Sequence, residues 1–106
     1  MAGSIRVRSR REGEFIELKL LIDHPMENGR NRDAAGNLIP AHFIEQLALT
    51  LNSQPLVTVN MAGSVAKNPF FSFRLKQVTD GDVLKVAWRD NHGAGDSAEH
   101  RIELNR

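Results

Sequence analysis

Apolar and polar residues alternate along residues 15–23, and this period of two is the strongest constraint that the sequence places on the fold. Aliphatic side chains occupy every second position, at Ile16, Leu18, Leu20 and Ile22, while charged residues fill most positions between them. Successive side chains of a β-strand point to opposite faces of the sheet. The pattern therefore predicts a half-buried antiparallel strand, with one face in a core and the other toward water.

Six more short runs predict strands. They cover residues 5–9, 45–51, 56–61, 70–76, 83–89 and 98–104. The run 70–76 is the strongest by composition because it is rich in phenylalanine. Leucine and glutamate in the run 45–51 also fit a helix, and we adopt the strand interpretation.

Turn residues between the runs predict how the strands connect. Residues 52–55, Asn-Ser-Gln-Pro, predict a hairpin between the third and fourth strands. Asp80-Gly81 predicts a tight hairpin between the fifth and sixth. Residues 62–68 show no period and predict a connection that crosses between two sheets. About seven short strands without a convincing helix predict an all-β, immunoglobulin-like antiparallel β-sandwich, with residues 1–106 as a single domain.

One long polar segment, residues 21–43, does not follow strand alternation. It contains two prolines, which cannot donate to a β-ladder, and two pairs of adjacent asparagine and glycine, which favour turns. Loops of this length are uncommon in a small domain and are usually functional or disordered. Met26, Leu38 and Ile39 offer apolar anchors, and charged residues of both signs offer internal pairing, so we expect a packed, ordered surface loop.

Composition excludes several classes of function. Basic and acidic residues are interspersed and nearly equal, with a formal net charge of +1, which is not the footprint of a nucleic-acid-binding protein. The chain has no cysteine, so it has no disulfide, thiol nucleophile or thiolate metal site. No apolar run approaches the roughly 20 residues that cross a bilayer, and no apolar signal-peptide segment follows Met1. The arginines of the first strand are typical of a charged edge that discourages further pairing.

The four histidines raise the question of a metal site. His24, Glu27, Asp33 and His42 can surround an ion if the loop folds on itself. Their spacing matches neither a pair of histidines one helical turn apart nor any other zinc motif, so we expect no metal and no cofactor. His100 occupies an inward position of the last strand and is expected to be a hydrogen-bonded, partly buried imidazole.

No residue pattern predicts catalysis. No serine occupies a glycine-flanked elbow. Glu27 and Asp33 lie near Arg30 and Arg32, which would lower a carboxyl pKa and so oppose a role as general acid; ion pairing is the better interpretation. The chain is therefore predicted not to be an enzyme.

Apolar residues on the predicted strands fall into two groups. Phe73 and Trp88 occupy inward positions and are predicted core residues. Phe15, Leu21 and Phe70 point outward and form a candidate interface patch, because exposed apolar patches tend to be interfaces. The alternative is that the long loop or a chain terminus covers them.

The loop residues resemble those of a known family, SoxZ, the small subunits of the SoxYZ sulfur carrier of bacterial thiosulfate oxidation. The matching residues are His24, Pro25, Met26, Glu27, Gly29, Arg32, Asp33, Gly36, Leu38, Ile39 and Pro40. The similarity extends over nearly the whole chain, including Asn68-Pro69 and Trp88. The sequence departs from the family at Asn28, where a small hydroxyl residue is common, and at Ala41, where a basic residue is common.

The resemblance implies an immunoglobulin-like fold and a non-catalytic subunit that pairs with SoxY, whose C-terminal cysteine arm carries covalently bound sulfur intermediates. It also implies transient contacts with other Sox enzymes, and co-export to the periplasm with a partner that has the signal peptide. The expected partner-binding residues are His24, Pro25, Met26, Glu27, Arg32, Asp33, Leu38, Ile39 and Pro40.

Two alternatives remain open. One is a stand-alone extracytoplasmic β-sandwich that binds a ligand, and the other is a small metal-dependent enzyme on the same scaffold. Ligand-binding sandwiches usually expose aromatic platforms, whereas this chain has one tryptophan, predicted inward, and no tyrosine.

Overall fold

The computed structural model describes residues 3–61 and 67–103, and these residues form seven strands and no helix. The strands are β1 (Ile5–Glu12), β2 (Phe15–Ile22), β3 (Ile44–Leu51), β4 (Gln54–Asn60), β5 (Phe70–Leu75), β6 (Val83–Asp90) and β7 (Gly95–Arg101). Accordingly, the described part of the chain contains no helix long and apolar enough to cross a membrane.

The strands form two antiparallel sheets. The first has the order β1-β2-β5 and the second has the order β4-β3-β6-β7. Because β4 and β5 lie in different sheets, the connection between them crosses from one sheet to the other as predicted, although its residues 62–66 lie outside the described residues. The all-β, immunoglobulin-like sandwich predicted from the sequence is confirmed.

The core lies between the inward faces of the central strands. Its buried residues are Ile16, Leu18, Leu20, Ile22, Met26, Ile44, Leu47, Leu49, Leu84, Val86 and Ile102. Each fully buried aliphatic side chain contributes about 1.5–3 kcal/mol relative to an exposed one. Phe73 and Trp88 are only partly buried, and they pack against the margin of this core rather than within it.

The hairpin predicted at Asp80-Gly81 is wrong. β5 pairs with β2, and β6 pairs with β3, so residues 76–82 cross between the sheets. The turn exists, since Gly81 has a φ of 90° and the N–H of Asp82 donates to the carbonyl of Thr79 at 3.0 Å. A tight hairpin needs strands that flank its turn directly. The longer segment instead spans the roughly 10 Å between packed sheets.

Strand boundaries also differ from those predicted. β4 includes Pro55, which is tolerated because β4 is an edge strand and needs no further ladder bond there. β7 begins at Gly95, inside the segment interpreted as a turn, because glycine allows a close approach: a Cβ there would lie 2.5 Å from the carbonyl oxygen of Trp88. Leu104, assigned to the last strand, lies outside the described residues.

Polar contacts join β1 and its N-terminal flank to β6 and β7, on the neighbouring sheet. Ser9 Oγ and His100 Nε2 are 2.8 Å apart, which confirms that His100 is hydrogen-bonded and partly buried. Burial lowers the pKa of His100, and the charge of Glu103 opposes this shift. Ser4 donates its N–H and hydroxyl to Asp96, each at 2.8 Å, and Trp88 Nε1 donates to Ser4 Oγ at 2.9 Å.

Candidate functional site

The segment between β2 and β3 is an irregular two-stranded ribbon. Isolated bridges pair Glu27 with His42 and Arg32 with Leu38. The backbone groups of Glu27 and His42 exchange two hydrogen bonds, at 2.7 and 2.8 Å. We call this segment, residues 23–43, the ribbon. It is packed and ordered as expected from the sequence, and its two halves also pair through their backbone groups.

The tip of the ribbon is a tight turn closed by Asp33. The N–H of Gly36 donates to the Asp33 carbonyl at 3.0 Å, and the N–H of Asp33 donates to the Asn37 carbonyl at 2.9 Å. The Asp33 carboxylate accepts from the N–H groups of Ala35 and Asn37 at 2.9 and 3.0 Å. Gly36 has a φ of 88°, which glycine adopts without strain. These bonds fix the tip without a core behind it.

The charged side chains of the ribbon bind partners other than each other. Arg32 Nη1 donates to the Gly36 carbonyl at 2.8 Å, and Glu27 Oε1 accepts from Asn31 Nδ2 at 2.9 Å. The Asp33 carboxylate accepts hydrogen bonds from backbone N–H groups. The sequence predicted ion pairs within the loop, whereas in the structure these charged side chains form hydrogen bonds with amide and carbonyl groups. Each of these bonds stabilises a particular backbone geometry.

Asp90, at the end of β6, fastens the base of the ribbon to the sandwich. It is 2% exposed. One carboxylate oxygen, Oδ2, accepts from His24 Nε2 at 3.2 Å and from His42 Nε2 at 2.8 Å. The other, Oδ1, accepts from the N–H groups of His92 and Ala94, each at 2.9 Å. The buried carboxylate is thus satisfied by four donors, as burial requires.

The same hydrogen bonds keep Asp90 ionised. Burial by itself raises the pKa of Asp90, but the hydrogen bonds from His24, His42, Ala94 and His92 outweigh burial and lower the pKa to about 2. An ionised carboxylate only accepts hydrogen bonds, so both imidazole nitrogens that face it donate.

The backbone fixes the tautomer of His24. Its Nδ1 accepts from the N–H of Met26 at 3.1 Å. The proton of the neutral ring therefore lies on Nε2, which points at Asp90. His42 is stacked on His92, with ring centroids 4.1 Å apart, and meets His24 edge to face at 4.6 Å. The rings form a small packed layer under the ribbon.

Asn91 holds the same end of the ribbon. Its side-chain oxygen accepts from the N–H of Phe43 at 2.8 Å, and its side-chain amide donates to the Ala41 carbonyl at 3.0 Å. Its own N–H donates to the Phe43 carbonyl at 3.0 Å. Together, Asp90 and Asn91 hold the base of the ribbon against the β6–β7 turn by hydrogen bonds.

His24, His42 and Asp90 also have the side-chain types of a metal site, with one ligand atom from each within 4.8 Å of the others. A metal ligand needs a free nitrogen lone pair, and His24 directs its protonated nitrogen at Asp90 while its other nitrogen accepts from Met26. The arrangement therefore fits a hydrogen-bonded clamp (His24, His42 and Asp90) better than a metal centre.

Sequence reasoning missed one member of the clamp, Asp90, and also His92, whose N–H donates to Asp90 and whose ring stacks on His42. An aspartate followed three residues later by Gly93 is typical of a turn in which the side chain caps the backbone, and that signal was present. The second oxygen of Asp90 binds histidines that lie 66 and 48 residues away. No local pattern reports such a contact.

The nine predicted ribbon residues divide by exposure. His24 and Met26 are 3% and 5% exposed, so in this conformation they anchor the ribbon and offer no partner contact. The N–H of Ile44 donates to Met26 Sδ, with nitrogen and sulfur 3.3 Å apart, inside the core. Leu38 is 54% exposed, and it faces solvent rather than anchoring the loop. The remaining members are exposed or half-buried: Pro25, Glu27, Arg32, Asp33, Ile39 and Pro40.

The structure brings together two of the three residues of the candidate interface patch. Leu21 and Phe70 are cross-strand neighbours and are 37% and 58% exposed. Phe15 lies at the other end of β2, half-buried, with Arg74 and Lys76 over its ring at 5.8 and 5.4 Å. The exposed apolar pair is therefore Leu21 and Phe70 alone.

The described residues thus form an immunoglobulin-like β-sandwich in which one long segment, the ribbon, is held from beneath by hydrogen bonds from the end of β6. The family model described as sulphur oxidation protein SoxZ matches residues 5–101 of the 106 residues. The chain therefore belongs to the SoxZ family, and its role lies in sulfur oxidation. Comparison with curated proteins gave no significant match.

Proposed function

We propose that the chain is the non-catalytic subunit of a periplasmic sulfur-carrier complex. It pairs with SoxY, whose C-terminal cysteine arm carries covalently bound sulfur intermediates during thiosulfate oxidation. Membership of the SoxZ family supports this proposal. So does the composition, because none of the 106 residues is cysteine and the thiol that holds sulfur must come from another chain.

The observation that carries the proposal is the ribbon, which is held by hydrogen bonds at its base and along its backbone. Its base is fastened by the clamp, and its exposed positions include Pro25, Arg32, Leu38 and Pro40. A preorganised loop loses little conformational freedom on binding, which favours affinity. Leu38 supplies an apolar contact and Arg32 a charge next to it across the ribbon. We assign these residues to contacts with SoxY or with the enzymes that visit the carrier.

A ligand-binding sandwich has less support. Trp88, the one tryptophan, is half-buried, donates to Ser4 and meets the His24 ring edge to face at 5.1 Å. A side chain held in this way does not provide the flat exposed platform that a carbohydrate needs. Among the described residues, large apolar side chains are instead exposed at positions such as Leu38 and Phe70, which suit contact with another protein.

Titration calorimetry with the SoxY protein of the same organism tests the proposal. The wild-type chain should form a stoichiometric complex. The double variant Arg32→Glu, Leu38→Asp should bind at least about tenfold more weakly, because an interface loses an apolar contact and gains repulsive charge. The matched control, Arg101→Glu with Leu56→Asp, makes the same chemical changes at exposed positions of β7 and β4.

The control should bind SoxY within about twofold of wild type, since exposed positions outside an interface contribute little. Thermal midpoints of all variants are measured in parallel. A wild-type chain that forms no complex would refute the pairing. A folded ribbon variant that binds as wild type would show that the contact lies elsewhere on the chain.

Cell fractionation tests the location. Expressed with SoxY, the chain should appear in the periplasm. When SoxY lacks its signal peptide, both proteins should remain in the cytoplasm. Periplasmic chain under the second condition would refute co-export.

A further inference from the structure

The outer face of the three-stranded sheet is rich in basic residues. Because side chains alternate along a strand, every second residue of each strand points to this face. The face carries Arg6, Arg8, Arg10 and Glu12 of β1, Phe15, Glu17, Lys19 and Leu21 of β2, and Phe70, Ser72 and Arg74 of β5. Five of these eleven residues are basic and two are acidic, although the whole chain is nearly neutral.

The carboxylates of this face gather at one end. Arg10 pairs with Glu12 and, at 3.6 Å, with Glu17, which also lies 3.6 Å from Lys19. For Arg6 and Arg8, no carboxylate among residues 3–61 and 67–103 comes within ion-pairing distance. The unpaired guanidinium groups therefore lie at the other end, nearest the apolar pair.

Three shallow cavities of about 210, 240 and 330 Å³ lie along this face. The first two share Arg6 and Leu21, and the last two share Arg8 and Lys19, so the three cavities lie next to one another in a row along β1 and β2, here called the groove. Between residues 6 and 10 the groove extends about 13 Å at the rise of a β-strand. That length fits a short extended peptide.

The outer face of the other sheet lacks this character. Its centre consists of small uncharged residues, where Ala48 pairs with Ala87 and with Thr58. Exposed basic residues of that face, such as Arg89 and Arg101, lie toward its ends. The basic groove is thus a property of one sheet rather than of the whole surface.

We propose that this groove docks a short extended acidic segment of a partner protein that carries one large apolar side chain. Its carboxylates pair with Arg6 and Arg8, because a guanidinium matches a carboxylate with two parallel hydrogen bonds. Its apolar side chain packs on Leu21 and Phe70. The inference stands apart from the proposed pairing through the ribbon, since it concerns another face.

Charge placement favours a peptide over nucleic acid or an anionic membrane. Glu17 lines the groove at one end and Asp23 at the other. At the first end Arg10 and Lys19 already pair with Glu17, and at the other end a longer polyanion that extends past Arg6 meets Asp23 and is repelled. Only Arg6 and Arg8 are then left to bind anionic groups, which suits a short segment. An acidic segment of four to six residues, on the order of the groove length, ends before Glu17 and Asp23.

A synthetic peptide tests the docking. The probe is a ten-residue peptide in which four glutamates and one central phenylalanine occupy five consecutive residues, with glycine and serine elsewhere, titrated into ¹⁵N-labelled protein at low salt. Backbone amide shifts should cluster in β1, β2 and the start of β5. A second peptide with glutamine in place of glutamate should bind at least about fivefold more weakly, because it cannot form the ion pairs.

Variants locate the site. Arg6→Glu with Arg8→Glu should weaken binding about tenfold or more, and Phe70→Ser about threefold or more. The matched control, Arg89→Glu with Arg101→Glu, changes net charge equally and should bind within about twofold of wild type. If the Arg6 and Arg8 pair impairs folding, Arg6→Gln alone is used.

Several outcomes overturn the proposal. If the Arg6 and Arg8 pair and the control pair weaken peptide binding equally when reversed in charge, the peptide is attracted only by the overall charge of the protein. Amide shifts confined to the ribbon, or equal affinity for the glutamine peptide, would exclude the groove as an acidic-segment site. Tighter binding of a ten-nucleotide single strand, or of vesicles with anionic lipid, to the same residues would assign the groove to another class of partner. None of these results affects the SoxY titration.

Discussion

His24 and Asp90 are 66 residues apart in the chain, and His24 Nε2 donates to Asp90 Oδ2 at 3.2 Å. The bond links the first residues of the ribbon to the last residue of β6. Both side chains are almost fully buried, so the bond is shielded from water. This contact, with its neighbour from His42, makes the ribbon an extension of the sandwich rather than a free loop.

Asp90→Asn should destabilise the protein by about 2–4 kcal/mol, because it removes a buried charge and turns an NH₂ group toward donors that need an acceptor. The matched control is Asp23→Asn, on the exposed first residue of the ribbon, with an expected change within about 0.5 kcal/mol. Urea titration measures both. Equal stability of Asp90→Asn and wild type would show that the clamp contributes little.

The stability of the protein should fall in acid partly through Asp90. Its folded-state pKa of about 2 lies below the unfolded value of 3.8. A lowered pKa stabilises the folded state fully above the unfolded value, and this stabilisation is lost as pH falls from about 4 toward 2. The contribution is roughly 2 kcal/mol.

Comparison with Asp90→Asn isolates this contribution, because hydrogen bonds also lower the pKa values of Asp82 and Asp96. From pH 5 to pH 2 the wild type should lose roughly 2 kcal/mol more than the variant. Parallel stability curves for the two proteins would contradict the assignment.

Much of the fold was accessible from the sequence because strands leave a local record. The alternation of Ile16 to Ile22 depends only on which side of the strand faces the core, and all seven strands were located. Which strands pair is a different matter. We predicted that β5 pairs with β6, whereas it pairs with β2. The prediction was wrong because the sequence of a turn at Gly81 looks the same in a hairpin and in a crossing connection.

The candidate site was accessible only in part. The ribbon was recognised from its prolines, turn residues and family resemblance, but its support was not, since Asp90 contributes from a distant strand. The sequence also did not show which residues of the ribbon are buried and which are exposed, and the reason is physical. Met26 and Leu38 are both apolar and both near a turn, and only the packed structure distinguishes the buried one from the exposed one.

Metal removal should leave the protein unchanged. Dialysis against EDTA should not alter the thermal midpoint, and added zinc should not bind with a one-to-one stoichiometry. The reason is the His24 tautomer, which leaves no free lone pair toward Asp90. Atomic emission of the purified protein and a thermal scan with and without zinc provide the measurements. One tightly held zinc per chain would show that the clamp rearranges into a metal site.

Replacing Met26 and Leu38 separately should distinguish support from surface. Met26 is 5% exposed and contacts Ile44 in the core, so Met26→Ala should cost about 2–4 kcal/mol through lost burial and a cavity. Leu38 is 54% exposed, and Leu38→Ala should change stability by about 0.5 kcal/mol or less. Urea titration gives both values.

Binding should show the opposite order. The folded fraction of Met26→Ala should bind SoxY with nearly wild-type affinity, because the clamp still holds both ends of the ribbon. Leu38→Ala should bind several-fold more weakly although it is as stable as wild type. If the folded fraction of Met26→Ala and the Leu38→Ala variant both bind SoxY as wild type does, the ribbon acts as cover for the core, and the contact with SoxY belongs to another surface of the sandwich.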